Sequence, residues 1–146
     1  MSQNFEATFS DGNGAAGIAG ARFLINTSLP GTNGCFLYHY NRVGANLIYL
    51  LNDAGAFQAP VLMGNSGTLS NNQCSVNVGA SSAVLSGNTL TLNLALTFAP
   101  AFAGAKDVFL EAQSATALGA WTQIGDLVHP VSRSRPNFKF QFGVRV

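Results

Sequence analysis

From Thr89 to Phe98 the chain alternates without a break. Leu90, Leu92, Leu94, Leu96 and Phe98 are large and apolar, while Thr89, Thr91, Asn93, Ala95 and Thr97 are small or polar. Successive side chains of a strand point to opposite faces, so this spacing gathers the five large groups on one face. A helix of the same residues would scatter them around its circumference. The stretch therefore predicts a strand longer than the usual length of roughly five or six residues, placed centrally in its sheet.

The same period recurs along the chain in shorter runs. Phe5, Ala7 and Phe9 alternate with Glu6 and Thr8 and predict a first strand, ended by the turn residues Ser10-Asp11-Gly12-Asn13-Gly14. Further strands are expected over Arg22 to Ile25, Cys35 to Tyr40, Leu47 to Leu51, Cys74 to Val78, Ala83 to Ser86, Asp107 to Gln113 and Trp121 to Ile124. Pro60 to Met63 reads as a weak edge strand, because proline is confined to edges and strand starts. Gly87-Asn88 is a two-residue hairpin turn into the long strand. Residues 64 to 72 are the most loop-like run, and no segment predicts a helix. Short strands with a turn signal roughly every eight to twelve residues predict an all-β protein, an antiparallel two-sheet sandwich. No internal repeat is present, which argues against a solenoid or propeller.

Composition narrows the setting. Hydrophobic residues make up 47% of the 146 and charged residues only 9%, against about 25% charged in ordinary soluble domains. The polar surface must then be built from Ser, Thr, Asn, Gln and Gly. The length suits one domain. No apolar run approaches the roughly 18 to 20 residues that span a bilayer, so no membrane span is expected. Met1 to Glu6 lack the basic and apolar regions of a signal peptide. A removed leader, or one module of a larger secreted protein, is therefore expected. Net charge is +1 and steers no partner. Arg133, Arg135, Lys139 and Arg145 nevertheless crowd the last fourteen residues. Residues 130–146 read as a basic tail outside a sandwich of residues 1–129, and nucleic acid is not an expected partner. Cys35 and Cys74 sit in strand-like contexts that two strands of a sandwich can bring together. The alternatives are a disulfide, which implies an oxidising compartment, and two buried thiols.

The ordered series Thr-Phe-Ser-Asp, Cys-Phe-Leu-Tyr, Leu-Ile-Tyr-Leu-Leu-Asn-Asp-Ala-Gly, Asn-Asn-Gln-Cys-Ser-Val, Gly-Asn-Thr-Leu-Thr-Leu-Asn-Leu-Ala-Leu-Thr-Phe and Phe-Ala-Gly-Ala-Lys resembles a bacterial Ig-like repeat. Such repeats belong to secreted or surface proteins of soil bacteria. The likeness spans about residues 5–125. It implies an Ig-like Greek-key sandwich, a Cys35–Cys74 bridge and an extracellular or cell-surface location. The resemblance also leads one to expect an Asp in the segment matching Gln113-Ser114-Ala115, where none stands.

Four groups of residues carry candidate chemistry. Asp11 with Asn13, and Asn52 with Asp53, lie in turns that follow strands. Loops gather at the ends of a sandwich, and Ca2+ takes six to eight oxygens from carboxylates, amides and main-chain carbonyls. The competing reading is that both aspartates close their own turns. His39, in Tyr38-His39-Tyr40, either faces solvent beside Arg42 or points into the sandwich; with a carboxylate such as Asp53 it would be a general base. Tyr38, Tyr40, Tyr49 and Trp121 offer rings that stack on a sugar face, unless they fill the core instead. No nucleophile elbow, zinc spacing or phosphate loop is present.

Two functions are thus expected. One is an extracellular, calcium-binding Ig-like module with a structural role or a small-molecule or glycan ligand. The other is a small calcium-dependent hydrolase of lactones or esters, such as N-acyl-homoserine lactones, with His39 or Asp53 as base and the metal activating water. Self-association through exposed edge strands is a further expectation in so uncharged a chain.

Overall fold

The structure is a computed structural model that describes residues 2–129 and 139–145. Its strands are β1 (Ser2–Ser10), β2 (Ile18–Asn26), β3 (Cys35–Tyr40), β4 (Leu47–Leu50), β5 (Val61–Leu62), β6 (Thr68–Ser70), β7 (Cys74–Asn77), β8 (Ser82–Ser86), β9 (Thr89–Phe98), β10 (Gly104–Ser114), β11 (Thr122–His129) and β12 (Lys139–Arg145). Helical structure among the described residues is limited to three-residue 3-10 turns, and no helix is long and apolar enough to cross a membrane.

Two sheets pack face to face. The first runs β12-β1-β9-β7-β6, with β8 also on β9; the second runs β11-β10-β2-β3-β4-β5. Neighbours are antiparallel except β1 and β12, which run parallel. β9 is central, as its alternation predicts: Leu90, Leu92, Leu94, Leu96 and Phe98 are all buried. They meet Phe5, Ala7 and Phe9 of β1 and, from the second sheet, Phe23, Ile25, Leu37, Ile48, Leu50, Val108 and Leu110. The Cys35–Cys74 disulfide ties β3 of one sheet to β7 of the other across 39 positions of sequence. That settles the fate of the two thiols.

β7 and β8 are one partner of β9, interrupted once. Between the pairs Val76↔Leu96 and Ser82↔Asn93, five residues of one strand run against two of the other. The 3-10 turn Val78–Ala80 absorbs the excess. Ser81 then stands in for the lost ladder contact. Its Oγ accepts from the buried Ala95 N–H at 3.0 Å and donates to the Asn77 carbonyl at 2.7 Å. A buried N–H left without an acceptor would cost about 1–3 kcal/mol, so a serine here is a structural requirement.

Two expectations need correction. Residues 64–72 are not all loop, since Thr68–Ser70 form β6 against β7. Only Leu69 of that strand is buried, and one apolar residue in three leaves no alternation to read. Lys139–Arg145 are not a tail apart from the sandwich, because they form β12 and extend the first sheet beyond β1. Arg133 and Arg135 lie outside the described residues.

Candidate functional site

The outward face of β3 carries Phe36, Tyr38 and Tyr40, since Cys35, Leu37 and His39 turn inward. β4 lies alongside, and its Tyr49 stands opposite Tyr38 in register. The two rings are stacked, with centroids 5.9 Å apart and planes 28° from parallel. Tyr40 meets the edge of Tyr38 at 6.3 Å, and Phe57 touches both Tyr38 (5.7 Å) and Tyr49 (5.8 Å). Phe36 continues the series to Phe57 and to Trp121, each at 5.4 Å. The result is an unbroken row of half-buried rings on the outside of the second sheet.

Phe57 arrives there through a turn that its own sequence builds. The Asn52 Oδ1 accepts from the main-chain N–H groups of Ala54 (3.0 Å) and Ala56 (2.9 Å), and the Asn52 N–H donates to the Ala56 carbonyl. The chain folds back, Leu51 bridges to Phe57, and the ring falls over Tyr49.

Charge is placed beside the rings. Arg22 pairs with Tyr38 across β2 and β3, its guanidinium carbon 5.0 Å from the ring centroid. Its Nη1 donates to the Glu111 carboxylate at 2.7 Å. Burial pushes the Glu111 carboxyl above its ordinary range, and the Arg22 charge works against that rise. Burial likewise raises the Tyr38 phenol, whose hydroxyl donates to Gln113 Oε1 at 3.2 Å. Gly20 makes this reach possible: a Cβ there would stand 2.8 Å from the Tyr38 ring and 3.0 Å from Gln113 Oε1. Tyr38 is thus held by Tyr40, Tyr49, Phe57, Arg22 and Gln113, and it stays partly exposed like Phe36 and Tyr40 on the same face.

The calcium and hydrolase residues are not brought together. Asp11 follows β1 beside the β8–β9 turn, where its N–H donates to the Asn88 carbonyl. Asp53 follows β4 at the opposite end of the sandwich, where its carboxylate accepts from the Asn72 N–H at 3.2 Å. Asp11 Oδ1 closes its own turn on the Asn13 N–H at 2.8 Å. Asp11, Asn13, Asn52 and Asp53 therefore make two turn closures and no shared metal cage. Among the described residues no group of three His, Cys, Asp or Glu side chains converges.

His39 takes the inward alternative. It is 0% exposed, and its Nε2 lies 2.9 Å from Asn46 Oδ1. Asp53 is toward the other end of β3, so the expected His39–Asp53 pair is absent and no substrate reaches the imidazole. Burial holds the His39 pKa below its ordinary value, opposed in part by the Asn46 hydrogen bond. In the unfolded chain the ring takes up a proton near pH ~6.5. The folded protein resists that proton, so the His39 contribution to stability is complete above this pH and is lost as pH falls through it. Glu111 acts in the opposite sense, because its folded value is raised. Between pH 8 and pH 5.5, urea melts should show the wild type losing more stability than a His39→Gln variant loses. An equal pH slope in the two would assign the titration to another group.

Comparison of the chain with models of protein families, with curated proteins and with solved structures finds no match. The aromatic row therefore stands on its geometry alone. Tyr38, Tyr40, Tyr49 and Trp121 were foreseeable as candidates from their residue types. Phe36 shares their strand parity and had the same signal. Phe57, Arg22 and Glu111 enter through tertiary packing and carry no local signature.

Proposed function

We propose that the chain is a non-catalytic extracellular binding module whose outer aromatic face takes the flat face of a pyranose sugar. The observation that carries this reading is the position of the ring row. Six aromatic side chains (Phe36, Tyr38, Tyr40, Tyr49, Phe57 and Trp121) stack outside the second sheet, where they add nothing to the inter-sheet core. Aromatic rings are costly to leave half solvated, and Tyr and Trp combine an apolar body with a polar tip suited to a wet, hydroxyl-rich ligand. Arg22 and Gln113 lie beside the rings, where they offer a donor and an acceptor to sugar hydroxyls, and the buried Glu111 holds Arg22 in place.

The Cys35–Cys74 bridge supports an oxidising, extracellular setting. An Ig-like repeat of a secreted or surface protein is the family reading most in keeping with a two-sheet sandwich bridged between its sheets. Of the two bases in the hydrolase reading, His39 is sealed and held by an amide, and Asp53 stands apart from it. Calcium is not needed for the sugar-binding reading.

The test is binding to insoluble cellulose and chitin and titration with their soluble oligosaccharides. Tyr38→Ala and Tyr49→Ala should each weaken binding about tenfold, the equivalent of ~1.4 kcal/mol, in a protein that stays folded with its Cys35–Cys74 bridge and loses only the ring contacts, about 0.5–1.5 kcal/mol per pair. Binding that survives both substitutions, or no binding to any of these glycans, would overturn the assignment.

A further inference from the structure

The most exposed apolar strand of the described protein is β8. It pairs on one side with β9 and, among the described residues, with nothing on the other. Val84 is 51% exposed and Leu85 41% exposed. Strand edges are commonly guarded by lysine, proline or inward charge. Here no Asp, Glu, Lys or Arg stands anywhere between Asp53 and Lys106, and no proline lies in β8.

The direction of the free backbone groups follows from the hairpin. Gly87, with φ of 57°, takes the first central position of the two-residue turn between Ser86 and Thr89, where a type II′ turn demands glycine. Ser86↔Thr89 is then the hydrogen-bonded closing pair, and alternation gives Val84 and Ser82 to β9 as well. The N–H and C=O groups of Ala83 and Leu85 point away from β9, outward along the open edge.

A groove of about 410 Å³ lies beside this edge, between β8 and the loop Asn41–Asn46; Ala83, Leu85, Ala16 and the fully exposed Val43 help to line it. Val43 holds φ of 55°, a left-handed conformation that a β-branched residue adopts only under strain. Strain and exposed apolar surface on one loop, next to an unguarded edge, mark a surface shaped for a partner.

We propose that the partner is a second copy of this chain, joined by antiparallel pairing of β8 with β8 about a two-fold axis through Val84. The sequence Ser82-Ala83-Val84-Leu85-Ser86 complements itself in that register. Ser82 faces the partner's Ser86, and Ala83 faces the partner's Leu85. Small stands against large on the groove side, so each Leu85 enters the space above the other copy's Ala83. Val84 meets its own symmetry mate on the outer side, covering both. Ala83 and Leu85 exchange their free hydrogen bonds across the axis, and the first sheets of two protomers become one. An isologous contact of this kind closes at two copies, which keeps an unguarded edge from propagating into a fibre.

The register makes the proposal testable with single residues. Light scattering coupled to size exclusion, run from micromolar to submillimolar protein, should show a concentration-dependent dimer. Val84→Lys puts two like charges directly opposite each other and should give a folded monomer whose melting temperature no longer depends on protein concentration. Val84→Cys should crosslink to a covalent dimer on mild oxidation, since the native cysteines are paired and the added thiol meets its own mate. Ser82→Cys, which faces Ser86 of the other copy, should not. A wild type that is monomeric throughout overturns the proposal, as does a dimer that tolerates Val84→Lys. Equal crosslinking by both cysteine variants overturns the register. A monomer that instead takes up an unrelated extended peptide along β8 gives the edge to another partner.

Discussion

Replacing Cys35 and Cys74 together by alanine is expected to lower the unfolding free energy by about 4 kcal/mol. The bridge closes a loop with a sequence separation of 39, and removing it returns the closure entropy of that loop to the unfolded chain. Both cysteines are buried in the inter-sheet core, so alanine also leaves small voids, which add to the loss. Against the total stability of a domain, about 5–15 kcal/mol, such a loss takes a large share. The loop is also one that needs closing. It spans from β3 of the second sheet to β7 of the first and contains only the short strands β4, β5 and β6. Inside it the two sheets are otherwise joined by hydrogen bonds such as Asn71 Nδ2 to the Leu51 carbonyl and Gln58 Nε2 to the Ser70 carbonyl, each of which contributes only about 0.5–1.5 kcal/mol. Urea denaturation of the double variant, and of the wild type with and without reductant, measures the effect. A loss below ~1 kcal/mol would mean that the unfolded chain is already compact around this loop, against the chain-entropy account.

The sandwich was legible wherever one face of a strand is buried and the other is not. β1, β3 and β9 show that parity in their side chains, and the structure places each of them where the alternation predicts. β6 had no such signature, because it is three residues long; β12 did alternate, with Phe140, Phe142 and Val144 between Lys139, Gln141, Gly143 and Arg145, but its basic residues read as a tail. The separation of the two acidic turns was present in the sequence in another form. If each connection reverses the chain, the turn after the first strand and the turn after the fourth lie at opposite ends. Counting strands would have kept Asp11 apart from Asp53, whereas loop composition alone suggested one cluster. For the aromatic residues, composition did not say which side of a sheet a ring would take. Parity did: Phe36, Tyr38 and Tyr40 share a face opposite to Cys35, Leu37 and His39. Since Cys35 is bridged across the core, the aromatic set must point away from it. Phe57 was beyond such reasoning, because a turn held by Asn52, and not a strand period, sets its place.

The same distinction between inner and outer rings yields the other large stability effect, at Phe5. Phe5→Ala is expected to cost about 3–5 kcal/mol, while Phe57→Ala should cost far less and weaken sugar binding instead. Phe5 lies on β1 of the first sheet and is fully enclosed. Its ring meets Phe23 of the second sheet edge-on at 5.7 Å and Phe98 of β9 at 5.8 Å. Truncation therefore removes transfer energy, leaves a cavity between two sheets, and breaks two edge-to-face contacts that each contribute about 0.5–1.5 kcal/mol beyond burial. The neighbours cannot close the gap cheaply, since Phe23 and Phe98 belong to different sheets held in register by their own ladders. Phe57 is 39% exposed on a turn, where water fills the space that the ring leaves. Equilibrium unfolding and glycan titration on both variants separate the two roles. Should Phe57→Ala destabilise the fold as much as Phe5→Ala while leaving glycan binding intact, the outer ring row would be a second core and the sugar-binding reading would fail. The opposite pattern, a destabilised Phe5→Ala that still binds when folded and a stable Phe57→Ala that does not, is what two faces with two separate tasks require.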